Sequence, residues 1–263
     1  MKQQVSLIIE AHWVLPVVPS NKLLEHYGVV VDAETIVDIR LIAEVHSQYR
    51  ANEVIKLNNQ ILMPGLINLH THTAMSLMRG LADGLALQPW LHNHIWPAES
   101  KLVSPDFVYD GTVLAAAEML SGGVTTCNDM YFFPASAAEA SIKMGLRVNL
   151  GLVVIEFPTQ YANDADSYIK TGLDVRDSYR EQPLVSFSFA PHAPYTVSDK
   201  TFQRIATLSN QVNIGIHTHL HETKEELSQS NEAHGLRPLA RLANLDLLGP
   251  NVTFAHCVHM NAV

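Results

Sequence analysis

A chain of 263 residues that is 47% hydrophobic and 16% charged has the balance of an ordinary folded protein and the length to bury a substantial core. With 17 Lys and Arg against 26 Asp and Glu, a formal net charge of -9 and no basic cluster, it lacks the electrostatic footprint of a nucleic-acid or anionic-membrane binder, so the expected partner is a small molecule. No run approaches the roughly 18 apolar residues that a bilayer crossing needs; Cys127 and Cys257 each sit in an apolar run as buried reduced thiols, and the expected location is cytoplasmic.

The N-terminal stretch has a lysine and apolar residues, but Glu10 and His12 interrupt it where a signal peptide keeps a continuous apolar segment. Residues 1–60 read as short strands and turns: VSLIIEAHWVLPVV, YGVVVD and TIVDIRLI, with DAET as a hairpin connection. They are expected to form a small β module, part of a composite β-sandwich.

From Ile61 the rhythm changes to six apolar runs: ILMPGLINLH, GVTTCNDMYFF, LRVNLGLVVI, LVSFSFAPH, VNIGIHTHLH and NVTFAHCVH. Helical segments separate them. The clearest is SPDFVYDGTVLAAAEMLSGG, with Ser104 as N-cap, Pro105 at the first helical position and Gly122 and Gly123 at the end. SAAEASIKMG, DADSYIKTGLDVRDSYR and SDKTFQRIATLSNQ follow. Continuous apolar strands alternating with helices predict an α/β fold whose parallel sheet is covered by helices.

Chemically capable residues recur at the C-terminal ends of these runs: His70 and His72, Asp129, His192, His219 with Glu222, and His256. A (β/α)₈ barrel of the TIM type gathers its site at that one rim from several strands. An open doubly wound sheet concentrates its chemistry at one switch point, usually with a Gly-rich phosphate turn, and this sequence has none. The barrel is therefore expected. Since eight strands close such a barrel, residues 61–263 are expected to be a barrel truncated after strand six, with the last strands supplied from elsewhere or by a longer polypeptide.

Residues i and i+2 of a strand point the same way, so His70 and His72 can approach one metal ion together. Imidazole suits Zn²⁺ and its neighbours, and a catalytic site takes about three protein ligands plus an open position. Alone, the pair could simply close a strand. HTHLHETKEE adds His217, His219 and His221 on one face of the fifth strand, with Glu222 at its exit. Three desolvated imidazoles each need a partner, so a ligand with orienting neighbours is the better explanation than core filling. Asp129 either supports the site from behind or is a hydrogen-bonded structural group.

Taken in order, PGLINLHTH, HLHETKEE and AHCVH resemble the amidohydrolase superfamily. MSLMRGLADGLALQPWL, IWPAES, GVTTCNDMYFF and APHAPYTVSD are similar to its 5′-methylthioadenosine and S-adenosylhomocysteine deaminase branch, related to the triazine and atrazine chlorohydrolases. The resemblance covers nearly all of the chain. It implies metal-dependent hydrolytic deamination of an adenosine-type nucleoside to the inosine-type product and ammonia. It further implies His70, His72 and His219 as ligands of one divalent ion, Zn²⁺ ahead of Fe²⁺ or Mn²⁺. Glu222 matches the proton-shuttling carboxylate at the substrate, His256 the histidine that orients the attacking water, Glu99 a carboxylate on the ribose, and His192 a substrate contact. Trp90, with Leu85 and Leu91 nearby, either packs on the substrate or serves helix packing. A homo-oligomer is implied as well.

The sequence departs from the family pattern in two places. The aspartate that completes the family's metal site follows strand eight, which these residues do not include, and the arginines of some relatives after strand three have no counterpart in LGLVVIEFPTQYAND. FSFAPHAPY at strand four lacks a lysine to bridge two metals, favouring one. Neither cysteine belongs to the CxxC of the cytidine-type zinc deaminases, which excludes that fold. Hydrolysis of guanine, pterin or triazine rings is the alternative within the superfamily. Outside it stands an inactive truncated barrel with a binding or scaffold role, associating through an open sheet edge.

Overall fold

The computed structural model describes residues 2–261, which divide into two compact units between Gly65 and Leu66. In the first, β1 (Gln3–Val14), β2 (Leu24–Asp32), β3 (Thr35–Leu41) and β4 (Tyr49–Leu62) form a single sheet in the order β3-β2-β1-β4. DAET is the predicted hairpin, with Asp32 opposite Thr35 and Ala33 in the left-handed region at φ 51°. TIVDIRLI departs from expectation, because strand ends at Leu41 and Ile42–Gln48 forms a helix, α1. Topology explains the difference. β3 and β4 run the same way at opposite edges of the sheet, and such a connection needs a crossover segment. Val45 of α1 is buried with Val5, Ile8 and Val30, and Gly28 permits the approach, since a Cβ there would stand 3.0 Å from Val45 Cγ2.

The second unit is a parallel sheet of β5 (Leu66–Thr71), β6 (Val124–Tyr131), β7 (Arg147–Val154), β8 (Val185–Pro191), β9 (Gly215–Leu220) and β10 (Val252–His256), neighbours in space as in sequence. These are the six apolar runs, except that ILMPGLINLH is divided: Ile61 and Leu62 end β4, and β5 begins at Leu66. Leu150, Leu152, Phe189, Ile216 and Leu220 are buried along β7, β8 and β9, as strands covered on both faces require, whereas Leu66, Ile67 and Leu69 of β5 are exposed. The crossovers are α2 (Leu87–Trp90), α3 (Trp96–Leu102), α4 (Pro105–Ser121), α5 (Pro134–Met144), α6 (Ala165–Tyr179), α7 (Asp199–Val212), α8 (Lys224–His234) and α9 (Pro238–Asn244). The predicted start of α4 holds: Ser104 Oγ accepts from the Phe107 amide, Pro105 opens the helix and Gly122 ends it. Asp164 and Ser167 cap α6 reciprocally, and Ser198 caps α7.

The sheet is curled into a nearly closed barrel, and one distance shows it. Four strand spacings in a flat sheet would set β5 and β9 about 19 Å apart, yet His70 Nδ1 on β5 lies 2.9 Å from His217 Nε2 on β9. Curling turns side chains from separate strands toward one another at the rim. Gly111 of α4 holds that rim in place, because a Cβ there would come within 2.5 Å of the Ala74 carbonyl oxygen, in the turn directly after His72.

Candidate active site

His70 lies near the end of β5 and His72 just past it, as the two-residue spacing demands. His219 lies on β9 and is 4% exposed. One ring nitrogen from each of these three lies within 4.8 Å of the other two, so the trio could hold a metal ion. Two of the rings are aimed by backbone carbonyls. His72 Nδ1 donates to Met130 O at 2.5 Å and His219 Nδ1 donates to His192 O at 2.6 Å. A carbonyl only accepts, so each of these rings carries its proton on Nδ1 and a lone pair on Nε2. The two Nε2 atoms face each other at 3.3 Å, the arrangement of ligands oriented by their outer hydrogen bonds.

The electrostatics keep these rings neutral. Burial drives the His70 imidazole down to about 3, with neighbouring histidines adding to it, and holds His219 well below the usual range. Neutral imidazole is the form that ligates.

Around the trio stand the remaining predicted residues. His256 stacks on His219 at 5.2 Å between ring centroids with planes 16° apart. Glu222 Oε1 lies 3.5 Å from His256 Nε2. Burial, and then the repulsion of Glu226, push the Glu222 carboxyl up to about 7. His192 supplies the carbonyl under His219 while its own Nδ1 meets Thr196 Oγ1 at 3.0 Å. All of them line one cavity of about 810 Å³, together with Glu99 and Trp90. Trp90 Nε1 donates to Leu81 O, which fixes the indole, and Leu91 joins it in the wall. Leu85 is exposed and stands outside it.

One expectation fails, and one open choice is narrowed. Strand β9 ends at Leu220, and His221 takes φ 53°, so it leaves the shared face: its Nε2 accepts from the Leu239 amide instead. The side-chain alternation stops where the strand stops. Asp129 lies outside the cavity wall; its Oδ1 accepts from the Thr73 amide at 2.6 Å and so pins the turn that carries His72. Of the two roles open to it, this is the structural one.

Two further residues complete the site without having stood out in the sequence. Glu226, buried in the first turn of α8, accepts from the amides of His221 and Glu222, both at 2.8 Å, and so sets the backbone of Glu222. The T-x-x-E spacing of Thr223 and Glu226 before the helix is the signal that could have marked it. Tyr131 donates to Glu99 Oε1 at 2.7 Å. Burial raises the Glu99 carboxyl, and the tyrosine bond partly opposes that rise.

The Amidohydrolase family profile matches residues 61–263. The chain belongs to the amidohydrolase family. A 5-methylthioadenosine/S-adenosylhomocysteine deaminase of Saccharophagus degradans is 46% identical over 260 residues, 99% of this chain and 58% of that protein. The crystal structure of an adenosine deaminase from Xanthomonas campestris with bound zinc superposes with a TM-score of 0.96 at 40% identity, covering 99% of this chain and 60% of that one. Atrazine chlorohydrolase of Arthrobacter aurescens, complexed with zinc, has a TM-score of 0.88 at 20% identity over 97% and 61% of the two chains, a likeness of fold. This amidohydrolase chain thus spans less than two thirds of the length of these relatives. Every histidine and carboxylate of the cavity lies inside the matched residues.

Proposed function

We propose that this amidohydrolase is a metal-dependent deaminase of adenosine-type nucleosides, 5′-methylthioadenosine or S-adenosylhomocysteine, that releases ammonia and leaves the inosine-type product. Three neutral imidazoles converge beside Glu222 and His256 in the wall of one cavity, and this convergence carries the proposal. The substrates named for the Saccharophagus relative and the zinc bound by the Xanthomonas enzyme support it.

The donor set fits a single divalent ion, Zn²⁺ first, held by His70, His72 and His219, because two of the rings already point lone pairs at a common place. A bound ion of this kind lowers the pKa of water from about 15.7 toward roughly 7, which supplies the nucleophile at neutral pH. A carboxyl near 7 is partly ionised under the same conditions. Glu222 can therefore take a proton from the attacking water and return it to the ring nitrogen beside the attacked carbon, where negative charge would otherwise build up. His256, stacked on His219 and next to Glu222, orients that water.

Binding falls to the rest of the wall. Tyr131 occupies one oxygen of Glu99, and a carboxylate accepts at both, so Glu99 meets the ribose hydroxyls through the other. His192 contacts the base, and Trp90, Leu91, Phe132 and Phe157 give the adenine and its 5′ substituent an apolar bed. The free thiols of Cys127 and Cys257 support a reducing, cytoplasmic compartment, and the working state is a homo-oligomer.

The deciding experiment is metal analysis together with turnover of 5′-methylthioadenosine, S-adenosylhomocysteine and guanine, followed by ultraviolet absorbance. One equivalent of metal and loss of the adenine band are expected. Turnover of guanine alone would move the assignment to the purine-base branch. Neither metal nor turnover would leave a binding or scaffold protein.

A further inference from the structure

We propose that His217 is a positioning residue for the metal centre, holding His70 in the tautomer that can ligate. This role rests on the metal-site proposal above. His72 and His219 are locked by carbonyls, which accept and never donate. His70 has a different partner. Its Nδ1 meets the Nε2 of His217 at 2.9 Å, with the two rings edge to face at 85°.

An imidazole nitrogen either gives or takes a hydrogen bond, so this pair has two arrangements. In the first, His70 Nδ1 donates to His217, and His70 Nε2 bears a lone pair open to a metal ion. In the second, His217 donates from Nε2, His70 carries its proton on Nε2, and that nitrogen is closed to a metal ion. Exchange between them moves one proton within each ring and changes neither charge.

His217 is 1% exposed, stands outside the cavity wall, and its Nδ1 is buried with no partner among the described residues. That Nδ1 is unpaired in both arrangements, as a donor in the first and as an acceptor in the second, so it does not exclude the first, in which His217 accepts from His70 and a metal bond at His70 Nε2 adds to the pairing. Two ligands are thus fixed by the backbone, and the third is set by a side chain that metal binding selects.

The test is Zn²⁺ affinity of the metal-free full chain, by competition with a chromophoric chelator. His217→Leu should weaken binding about 10–100-fold, the usual effect of losing an outer hydrogen bond to a ligand. His217→Gln, whose amide reaches the place of Nε2, should recover most of it, whereas His217→Asn, which reaches only the place of Nδ1, should not. Nitrogen-15 resonances of the zinc-loaded wild type should show His70 protonated at Nδ1. Equal affinity in the wild type and His217→Leu overturns the role of His217 and leaves the metal site standing. If His217→Leu fails to fold, equal affinity of the Gln and Asn variants overturns it instead. A wild type that binds no Zn²⁺ overturns the metal site itself.

Discussion

Glu222 Oε1 and His256 Nε2 face each other at 3.5 Å, one residue just beyond β9 and the other at the end of β10. Backbone bonds lock this pair of strand ends together: Cys257 N donates to Leu220 O and His259 N to His221 O. The proton transfer and water orientation proposed for them would therefore sit on neighbouring segments joined by backbone bonds. Glu222→Gln keeps the shape and removes the base. It should lower kcat by about 10²–10⁴-fold while KM and metal content change little, as steady-state kinetics and metal analysis would show.

The same carboxyl sets a pH dependence. Because burial raises Glu222 to about 7, the ionised base is lost as pH falls through 7, and kcat/KM should decline on the acid side with the slope of one proton. The stability effect has the opposite sense. A raised carboxyl contributes stability below its unfolded pKa and loses it as pH rises through about 7, so Glu222→Gln should gain stability over the wild type on the alkaline side. Denaturant unfolding of the metal-free protein at several pH values would detect it.

Tyr131→Phe removes the hydroxyl that donates to Glu99 Oε1. The buried carboxyl then loses that hydrogen bond, and its proposed contact with the ribose should weaken. KM for nucleosides should rise about tenfold with kcat nearly unchanged, the pattern of lost ground-state binding, and 2′,3′-dideoxy substrates should show no such difference between variant and wild type.

Gly111→Ala places a methyl 2.5 Å from the Ala74 carbonyl oxygen. Backbone cannot yield as a flexible side chain does, so α4 must move off the turn that follows His72. A loss of about 1–3 kcal/mol in unfolding free energy is expected, accompanied by weaker zinc binding in the same chelator assay.

Chelation should abolish turnover and lower the thermal midpoint, since an ion that binds only the folded state stabilises it by mass action. Returning Zn²⁺ should restore both. An unchanged midpoint in a scan with and without metal would argue against a site assembled from β5 and β9.

The six strands were legible as uninterrupted apolar runs, the form that β7, β8 and β9 take because they are buried on both faces, though Leu66, Ile67 and Leu69 of β5 are exposed, and α4 was legible because Ser104, Pro105 and Gly122 mark its ends. α1 was not: seven residues give too short a helical period, and its existence follows from where β4 lies in the sheet. His221 was misplaced for a related reason. Alternation says which residues share a face only while the strand lasts, and nothing in HTHLHET states that the backbone turns left-handed at residue 221. Tyr131 and Glu226 escaped notice because each acts through a partner brought near by the fold, Glu99 in one case and the amide pair at the end of β9 in the other.

The curl of the barrel also fixes an order of events. His70 and His217 are 147 residues apart, as are His72 and His219. Each βα unit can dock on the strand before it, so the sheet can grow stepwise as the polypeptide is synthesised. The ion pocket cannot form that way, since its parts come together only after the fifth unit has arrived and the sheet has bent around. Metal capture is then a late event of folding, paid for by long-range loop closure. Delayed uptake of zinc during refolding would time the bending of the sheet itself.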